Sequence, residues 1–525
     1  MLLLRSLCVL LAVLLVPTSI VAQVTFNQIA LTGEAVPGVD GSEFFNFGGG
    51  PSINASGDVA FQSQLNPPGF FGPIQAIFGP TSEAPLGVIA ITGTQPPGVP
   101  DGALYSTFFA PSLNASGETV FRSNMSVGLG QVTINTQEAI FGSTSGAGSP
   151  LELIARLGDS AGLTDGAAFN FFSQVSLNDS GDVAFGSFLR TGTGTPPVSL
   201  SNDATIFGPT SGVGSPLGLI VREGDPVPGV AGMEFDFLFT PALNASGDVA
   251  FRGGLRTAPG VVDSSSNNGI FGPISGAGSP LGLIAREGDP ASGVTDGAVF
   301  GSFGSPMLNA SGDVAFPATL RGASVGADNS NAIFGPTSGA GSSLGLIARE
   351  DTPAPGLADG AEFNSLGFVS LNAAGTTAFA ATLRTGTGAP VGLNNNRGLF
   401  INSAGEQECI LRSGDQITVT LPDGSGTEER TVGFVELSPT GLSDQGVVAF
   451  RVTFTDLTQG IFTTNSGPVL LGDVNLDGIV NFLDISPFII RLTSGALLAE
   501  ADINQDGIIN FLDIAPFIQI LANQS

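Results

Sequence analysis

A chain of 525 residues with 16 basic and 45 acidic side chains carries a formal charge of −29, and every base in it is arginine. Carboxylate in such excess is repelled by phosphate backbones and anionic membranes, which argues against nucleic acid as a partner. Histidine is absent, and with it go histidine-based triads, histidine general bases and histidine zinc sites.

In chain order, the first segment, Met1 to Ala22, reads as a secretory signal peptide. Arg5 supplies the positive start, Leu7 to Val16 the apolar core, and Pro17 the break ahead of Ile20-Val21-Ala22. That apolar run is too short to span a bilayer. The mature chain is therefore expected to begin near Gln23 and to be secreted, extracellular or at the cell surface. Cys8 lies inside the signal without the small residues of a lipid-attachment box before it. No second long apolar segment follows, so no transmembrane segment is expected. Cys409 is then the one cysteine of the mature chain, and stability has to come from packing or metal rather than a disulfide. Glycine at 76 and proline at 35 make about a fifth of the residues, which points to many turns, while 42% hydrophobic content marks a folded chain.

Residues 23–466 are organised by repetition. The phrase Asn54-Ala-Ser-Gly-Asp-Val-Ala-Phe61 returns at Asn114, Asn178, Asn244, Asn309 and Asn372, and in degenerate form from Ser443 to Phe450, at spacings of 60, 64, 66, 65, 63 and 71 residues. A second phrase of the type Ala76-Ile-Phe-Gly79 follows each copy, and a third of the type Leu281-Gly-Leu-Ile-Ala-Arg-Glu-Gly-Asp289 follows six of them. Each unit offers four short strands rich in Val, Ile, Leu and Phe between Gly, Asn, Ser and Pro turns. In one unit they are 235–243, 248–255, 269–273 and 281–287. Helical periodicity is missing. Four strands in about 65 residues, seven times over, predict a mainly β fold: a seven-bladed β-propeller. An open solenoid or a row of small sandwiches is the competing architecture. The stretch 25–36 resembles a fourth strand with no first three before it, and the last unit lacks a full fourth. The N-terminal strand is therefore expected to complete the seventh blade and remove the open edges.

Most repeated residues read as architecture. The Asn-Ala-Ser-Gly sequons are expected to be turns, because Asn and Gly tolerate positive φ, rather than glycosylation acceptors. Phe185, Phe251 and their equivalents are expected between blades. Arg156, Arg222, Arg286, Arg349 and Arg412 share one blade position, often beside Glu223, Glu287 or Glu350. Salt bridges between blades are the expectation, with a polar ligand-binding ring as the alternative. The Asp-Gly steps at Asp40, Asp101, Asp165, Asp296 and Asp359 read as turns, with a cation-holding ring as the alternative. The links between second and third strands vary in length and content, and share one face with the fourth-to-first loops. A glycan or protein partner is expected on that face or at the channel mouth.

Residues 473–484 and 502–513 carry the other motif. Oxygen-bearing residues stand at loop positions one, three, five, nine and twelve, with Gly at six and a backbone carbonyl at seven, which is how one short loop surrounds Ca²⁺. The predicted ligands are Asp473, Asn475, Asp477, Ile479 through its carbonyl, Asn481 and Asp484. In the second loop they are Asp502, Asn504, Asp506, Ile508 through its carbonyl, Asn510 and Asp513. Two Ca²⁺ ions are expected. After each loop the period becomes helical, with Ile485, Phe488, Ile489 and Leu492, then Ile514, Phe517, Ile518 and Leu521, on one face. Pro487 and Pro516 fit first helical turns, and the two helices are expected to pack face to face.

Paired loops with Asp at position twelve, each followed by a helix, resemble a type I dockerin domain, over about 472–523 and taken as a 472–525 module. The resemblance implies two Ca²⁺ and docking onto a cohesin, often in assemblies that degrade polysaccharide. Positions ten and eleven depart from the cellulosomal pattern of small hydroxylated residues, being Phe482-Leu483 and Phe511-Leu512. That points to a cohesin-like or other cell-surface protein rather than a cellulosomal cohesin. The upstream region resembles secreted bacterial proteins with tandem Asn-x-x-Gly-x-x-Ala-Phe repeats joined to varied anchoring modules, a resemblance that brings no activity with it. The favoured function is a non-enzymatic binding or scaffold protein. A polysaccharide-acting hydrolase or lyase using paired carboxylates and a surface-layer component are the rivals. No catalytic residue stands out, since most Asp and Glu recur in every unit.

Overall fold

The structure, a computed structural model, describes residues 26–464 apart from 69–73, 100–101, 144–145, 258–266, 358 and 385–390, and residues 471–523 apart from 473, 475–479, 481, 495–500, 502 and 504–509. The signal segment 1–22 and Asp101 lie outside the described residues.

Seven antiparallel sheets follow one another along the chain as blades. The fourth is typical. Its first strand is Met233–Leu238, continued after a break by Ala242–Leu243; Val249–Thr257, Asn268–Pro273 and Leu281–Arg286 follow in order. Val249, Ala250 and Phe251 are buried in succession rather than alternately. A strand covered on both faces by neighbouring blades needs such a continuous apolar run. The core forms between blades. Phe300, Phe303, Phe316 and Phe334 of the fifth blade pack on Ala250, Ile270 and Ala285 of the fourth. Bulky rings on one face thus meet small and branched side chains on the next. Within a blade the rings also touch: Phe251 and Phe271 stack with centroids 5.6 Å apart. Each fully buried Phe contributes about 2–3 kcal/mol.

The ring of blades closes through its termini. The seventh blade takes Thr427–Leu442, Val448–Phe454 and Gln459–Thr464 from the C-terminal end of the array. Its next strand is Phe26–Leu31, which pairs antiparallel with the last of these from Phe26↔Thr464 to Leu31↔Gly460. One strand was not legible in the repeats: Gln416–Thr420 adds to the far side of this sheet through Gln416↔Thr431.

The Asn-Ala-Ser-Gly phrase forms the tight turn, but asparagine does something other than adopt positive φ. The glycines take that conformation, for example Gly57 at 83° and Gly181 at 82°, and none of the phrase's asparagines does. Each asparagine is instead buried to within 3–4% exposure. The Oδ1 of Asn178 accepts the amides of Ser180 and Asp182 at 3.1 and 2.9 Å. Its Nδ2 donates to Asp182 at 3.0 Å and to the backbone carbonyl of Asn244, in the next blade, at 3.1 Å. Nδ2-to-carbonyl bonds of this kind run from Asn54 to Asn114, Asn114 to Asn178, Asn178 to Asn244, Asn244 to Asn309, Asn309 to Asn372, and Asn372 to Ser443. Six blade boundaries are sealed by one repeated side chain. At the seventh, Ser443 replaces asparagine, and the Ser438 hydroxyl bridges to the carbonyl of Pro51 at 2.6 Å instead.

Beyond the propeller lie a single turn, Phe482–Asp484, and two helices, α1 (Ile485–Ser494) and α2 (Ile514–Asn523). Phe488 and Phe517 stack across them with centroids 4.2 Å apart. Val474, Val480, Ala501, Ile503 and Leu521 complete this small core.

Candidate functional site

In the C-terminal segment the structure describes three of the twelve expected calcium ligands. Asp473, Asn475, Asp477, Ile479, Asn481, Asp502, Asn504, Asp506 and Ile508 lie outside the described residues. Asp484 and Asp513, the two position-twelve residues, are both fully buried. A carboxylate is buried at several kcal/mol unless cations or donors compensate it. The Asn510 amide donates to Asp513 at 2.8 Å, and the Asp513 carbonyl accepts the amide of Phe517 in the first turn of α2. The closing residue of the loop is therefore tied to the helix that follows. A buried carboxylate at position twelve of each loop is oxygen chemistry of the kind a hard cation takes. Among the described residues alone, no group of three or more acidic, Cys or His side chains is placed to hold a metal.

The helices depart from the expected packing on one point. Phe488 and Leu521 face the core, but Ile489 and Ile518 are 52% and 59% exposed, and Ile485 also faces solvent. A small two-helix core has room for one ring and its neighbours from each helix, so the second apolar position per turn is turned outward. Phe482, Phe511 and Leu512 are also exposed, at 73%, 81% and 66%. Among the described residues the segment thus exposes six large apolar side chains, Phe482, Ile485, Ile489, Phe511, Leu512 and Ile518.

On the propeller, the repeated arginines do not bridge blades as expected. Arg222 pairs with Asp165 at 2.7 Å, Arg349 with Asp296 at 2.7 Å and Arg412 with Asp359 at 2.6 Å. In each case the acid lies in the loop entering the arginine's own blade, so the pair clasps the outer strand to that loop. The same acids accept the amides of Ala167, Ala298 and Ala361. The Arg222 hydrogen bond, helped by the Ala167 amide, holds the Asp165 carboxyl below its usual range. These acids serve the turn and the clasp, which corrects the cation-ring alternative at Asp165, Asp296 and Asp359. Pairing between blades is done by a second set of arginines: Arg256 meets Glu223 at 2.9 Å, Arg321 meets Glu287 at 3.6 Å, and Arg384 meets Asp351.

The second-to-third links and the fourth-to-first loops do share a face: the Thr195 amide donates to the carbonyl of Asp165 at 2.7 Å, and the Ser324 hydroxyl to that of Asp296 at 3.1 Å. On it, between blades six and seven at the axis, opens a cleft of about 450 Å³ whose walls include Gln174, Phe368, Thr382, Arg397, Phe434 and Glu436. The repeat reading missed this site. Its signal lies in departures from the repeat. Arg397 stands three residues before the strand's core Phe400, where the other units have Gln75, Glu138, Ala204, Asn268, Asn331 and Gln459.

Seven antiparallel blades, the last closed by the N-terminal strand and widened by Gln416–Thr420, with a two-helix module appended, define a β-propeller protein carrying a C-terminal module. Residues 20–342 and 201–469 match the model of a family of unknown function (DUF7453), and the chain belongs to that family. Residues 471–522 match the dockerin type I domain. Dockerin domains of this type generally bind Ca²⁺ and take cohesin partners, and proteins that carry them are typically extracellular or at the cell surface. No curated protein matches the chain. Among solved structures, the chain is similar to the polysaccharide lyase Uly1 at 11% identity and a TM-score of 0.40, covering 83% of this chain and 97% of that one. It is similar to the Dos1 propeller at 6% and 0.29, covering 80% and 94%. The α-L-arabinofuranosidase Arb93A from Fusarium graminearum aligns at 11% and 0.28, covering 74% and 96%. No described helix is long and apolar enough to cross a membrane.

Proposed function

We propose that this is a secreted, non-enzymatic binding protein in which residues 472–525, loaded with two Ca²⁺, attach the propeller of residues 23–466 to a cohesin-like surface protein. The observation that carries the reading is that two position-twelve acids, Asp484 and Asp513, are fully buried while Phe482, Ile489, Phe511, Leu512 and Ile518 are exposed. Bound Ca²⁺ would offer both carboxylates a cation. The residues named as ligands would then hold the loops so that α1 and α2 present their apolar side. Phe-Leu at positions ten and eleven favours an apolar patch on the partner, where small hydroxylated residues would favour a polar one.

Calorimetry on residues 23–525 tests the ion count. Two equivalents of Ca²⁺ are expected, falling to one in Asp477→Ala and in Asp506→Ala. Unchanged stoichiometry in both variants refutes the ligand set. A Ca²⁺-dependent pull-down from surface extract, lost in the double variant Phe482→Ser and Phe511→Ser, tests the attachment surface. Reproducible turnover of any polysaccharide, abolished by one carboxylate substitution, would refute the non-enzymatic reading.

A further inference from the structure

Small residues line the seam between blades six and seven at the cleft. In the second strand, the residue after the repeated Phe is Arg122 in blade two, Arg252 in blade four and Arg451 in blade seven. Each donates to a backbone carbonyl of the following blade: Phe172 at 2.6 Å, Phe303 at 2.5 Å and Phe47 at 2.7 Å. In blade six that position is Ala380, and the first-strand residue opposite is Gly367, where even a Cβ would come within 2.9 Å of the Ala380 carbonyl. Blades one, three and five likewise lack the arginine, with Gln62, Gly186 and Pro317 there, but only the seam after blade six adds Arg397 beside it.

Arg397 enters this space with unspent charge. In two other blades its counterparts accept a backbone amide from the next blade: Gln75 from Phe108 at 3.0 Å, and Gln459 from Phe47 at 2.9 Å. Arginine has no acceptor to offer. Its guanidinium lies over the Phe434 ring at 4.4 Å, and among the described residues it has neither a carboxylate nor a carbonyl partner. Glu436, the acid of the cleft, is already paired with Arg451. An arginine without an anion is notable in a chain of net charge −29, where acceptors outnumber donors of charge. The opposite wall carries Phe368, 66% exposed, at a position where other blades place Gly49, Ala110, Gln174, Thr240 or Ser305. Ser365, Thr382 and Gln174 add hydroxyl and amide groups.

We infer that this cleft binds a carboxylate-bearing saccharide, a uronate unit of an acidic glycan. The Arg397 guanidinium, over the Phe434 ring, takes the carboxylate through charge-assisted N–H···O bonds, the arrangement in which an arginine fork is strongest. Phe368 offers an apolar face to the C–H side of the sugar ring, and the hydroxyl and amide groups meet sugar hydroxyls. A volume of about 450 Å³ suits roughly one or two sugar rings. The inference rests on the reading of the propeller as the ligand-presenting part. It is independent of how the C-terminal module attaches, so loss of Ca²⁺-dependent capture would leave it standing.

The test is titration calorimetry of residues 23–525 in Ca²⁺ with digalacturonate and diglucuronate, with neutral digalactose and a sulfated galactose disaccharide as the other arms. Binding of at least one uronate is expected, with the neutral sugar weaker by roughly tenfold or more. Arg397→Gln should lower uronate affinity roughly 10- to 100-fold with unchanged melting temperature and unchanged Ca²⁺ stoichiometry. Phe368→Ala should lower it less. Tighter binding of the sulfated sugar would reassign the charge to sulfate and overturn the uronate assignment. Equal binding of the neutral sugar, full affinity in Arg397→Gln, or no uronate binding at millimolar concentration would overturn the site.

Discussion

Replacing Asn178 with alanine should loosen the propeller at a single seam. The side chain makes four hydrogen bonds, two accepted by Oδ1 and two donated by Nδ2, and one of these crosses to the next blade. At about 1 kcal/mol net per bond, the ceiling is about 4 kcal/mol. The turn itself borders solvent, so water can satisfy the amides of Ser180 and Asp182 in the variant, while the buried Asn244 carbonyl loses its donor. That places the loss at roughly 2–4 kcal/mol. Unfolding entropy of about 2 cal/mol/K per residue, over the roughly 440 residues from 26 to 464, converts this to a fall in Tm of about 2–4 °C if the ring unfolds as one unit. Scanning calorimetry of the variant beside Ser180→Ala, which keeps the asparagine bonds, is the assay. Asn178→Asp should do worse than Ser180→Ala at neutral pH, since it removes both donations and sets a second carboxylate about 3.0 Å from that of Asp182. If Asn178→Ala melts like the parent, or no lower than Ser180→Ala, the asparagine ring does not hold the blades together.

Further outcomes follow from single residues. Cys409 is partly buried and burial pushes its thiol up to about 12, so native protein should resist thiol alkylation at pH 8 and react only after unfolding; prompt labelling would contradict the packing. Because that raised value favours the protonated thiol, its contribution to stability is present below the unfolded thiol's range and is lost as pH climbs toward 12. The carboxyl of Asp165 is shifted the other way, so its contribution is present above about pH 4 and disappears as pH falls through its lowered folded value; Asp165→Asn should flatten the acid limb of a Tm–pH curve, and an unchanged limb would refute the clasp. Tyr105 is buried with no hydrogen-bond partner for its hydroxyl among the described residues, and five other blades place Phe there. Tyr105→Phe should therefore raise stability by about 1 kcal/mol, read as a higher urea midpoint; a lower midpoint would mean the hydroxyl is satisfied.

Much of the architecture was legible because it is local and repeated. Strands bounded by Gly and Asn turns, seven in register, leave few folds that bury both faces of every strand, and a lone fourth strand at the N-terminus points to closure. The dockerin module is legible for a like reason: its loops space oxygen-bearing residues within a dozen consecutive positions, the pattern a hard cation would need. Asn178 shows where such reading stops. The phrase announces a turn, yet the bond that matters joins it to a carbonyl 66 residues away, a distance no local pattern encodes.

What the sequence by itself determined, then, is the seven-fold repeat with its strands and turns, and the spacing of ligand-type residues after it. Tertiary structure decided everything that depends on which blade lies beside which. It turned the Arg222 series inward to the loops of their own blades and gave inter-blade pairing to Arg256, Arg321 and Arg384. It faced Ile489 and Ile518 outward, because a two-helix core is filled by Phe488 and Phe517. It also made a cleft where two departures from the repeat, Phe368 and Arg397, meet the small residues Gly367 and Ala380, all of them unremarkable one by one. They become a site because the propeller brings them to one open seam.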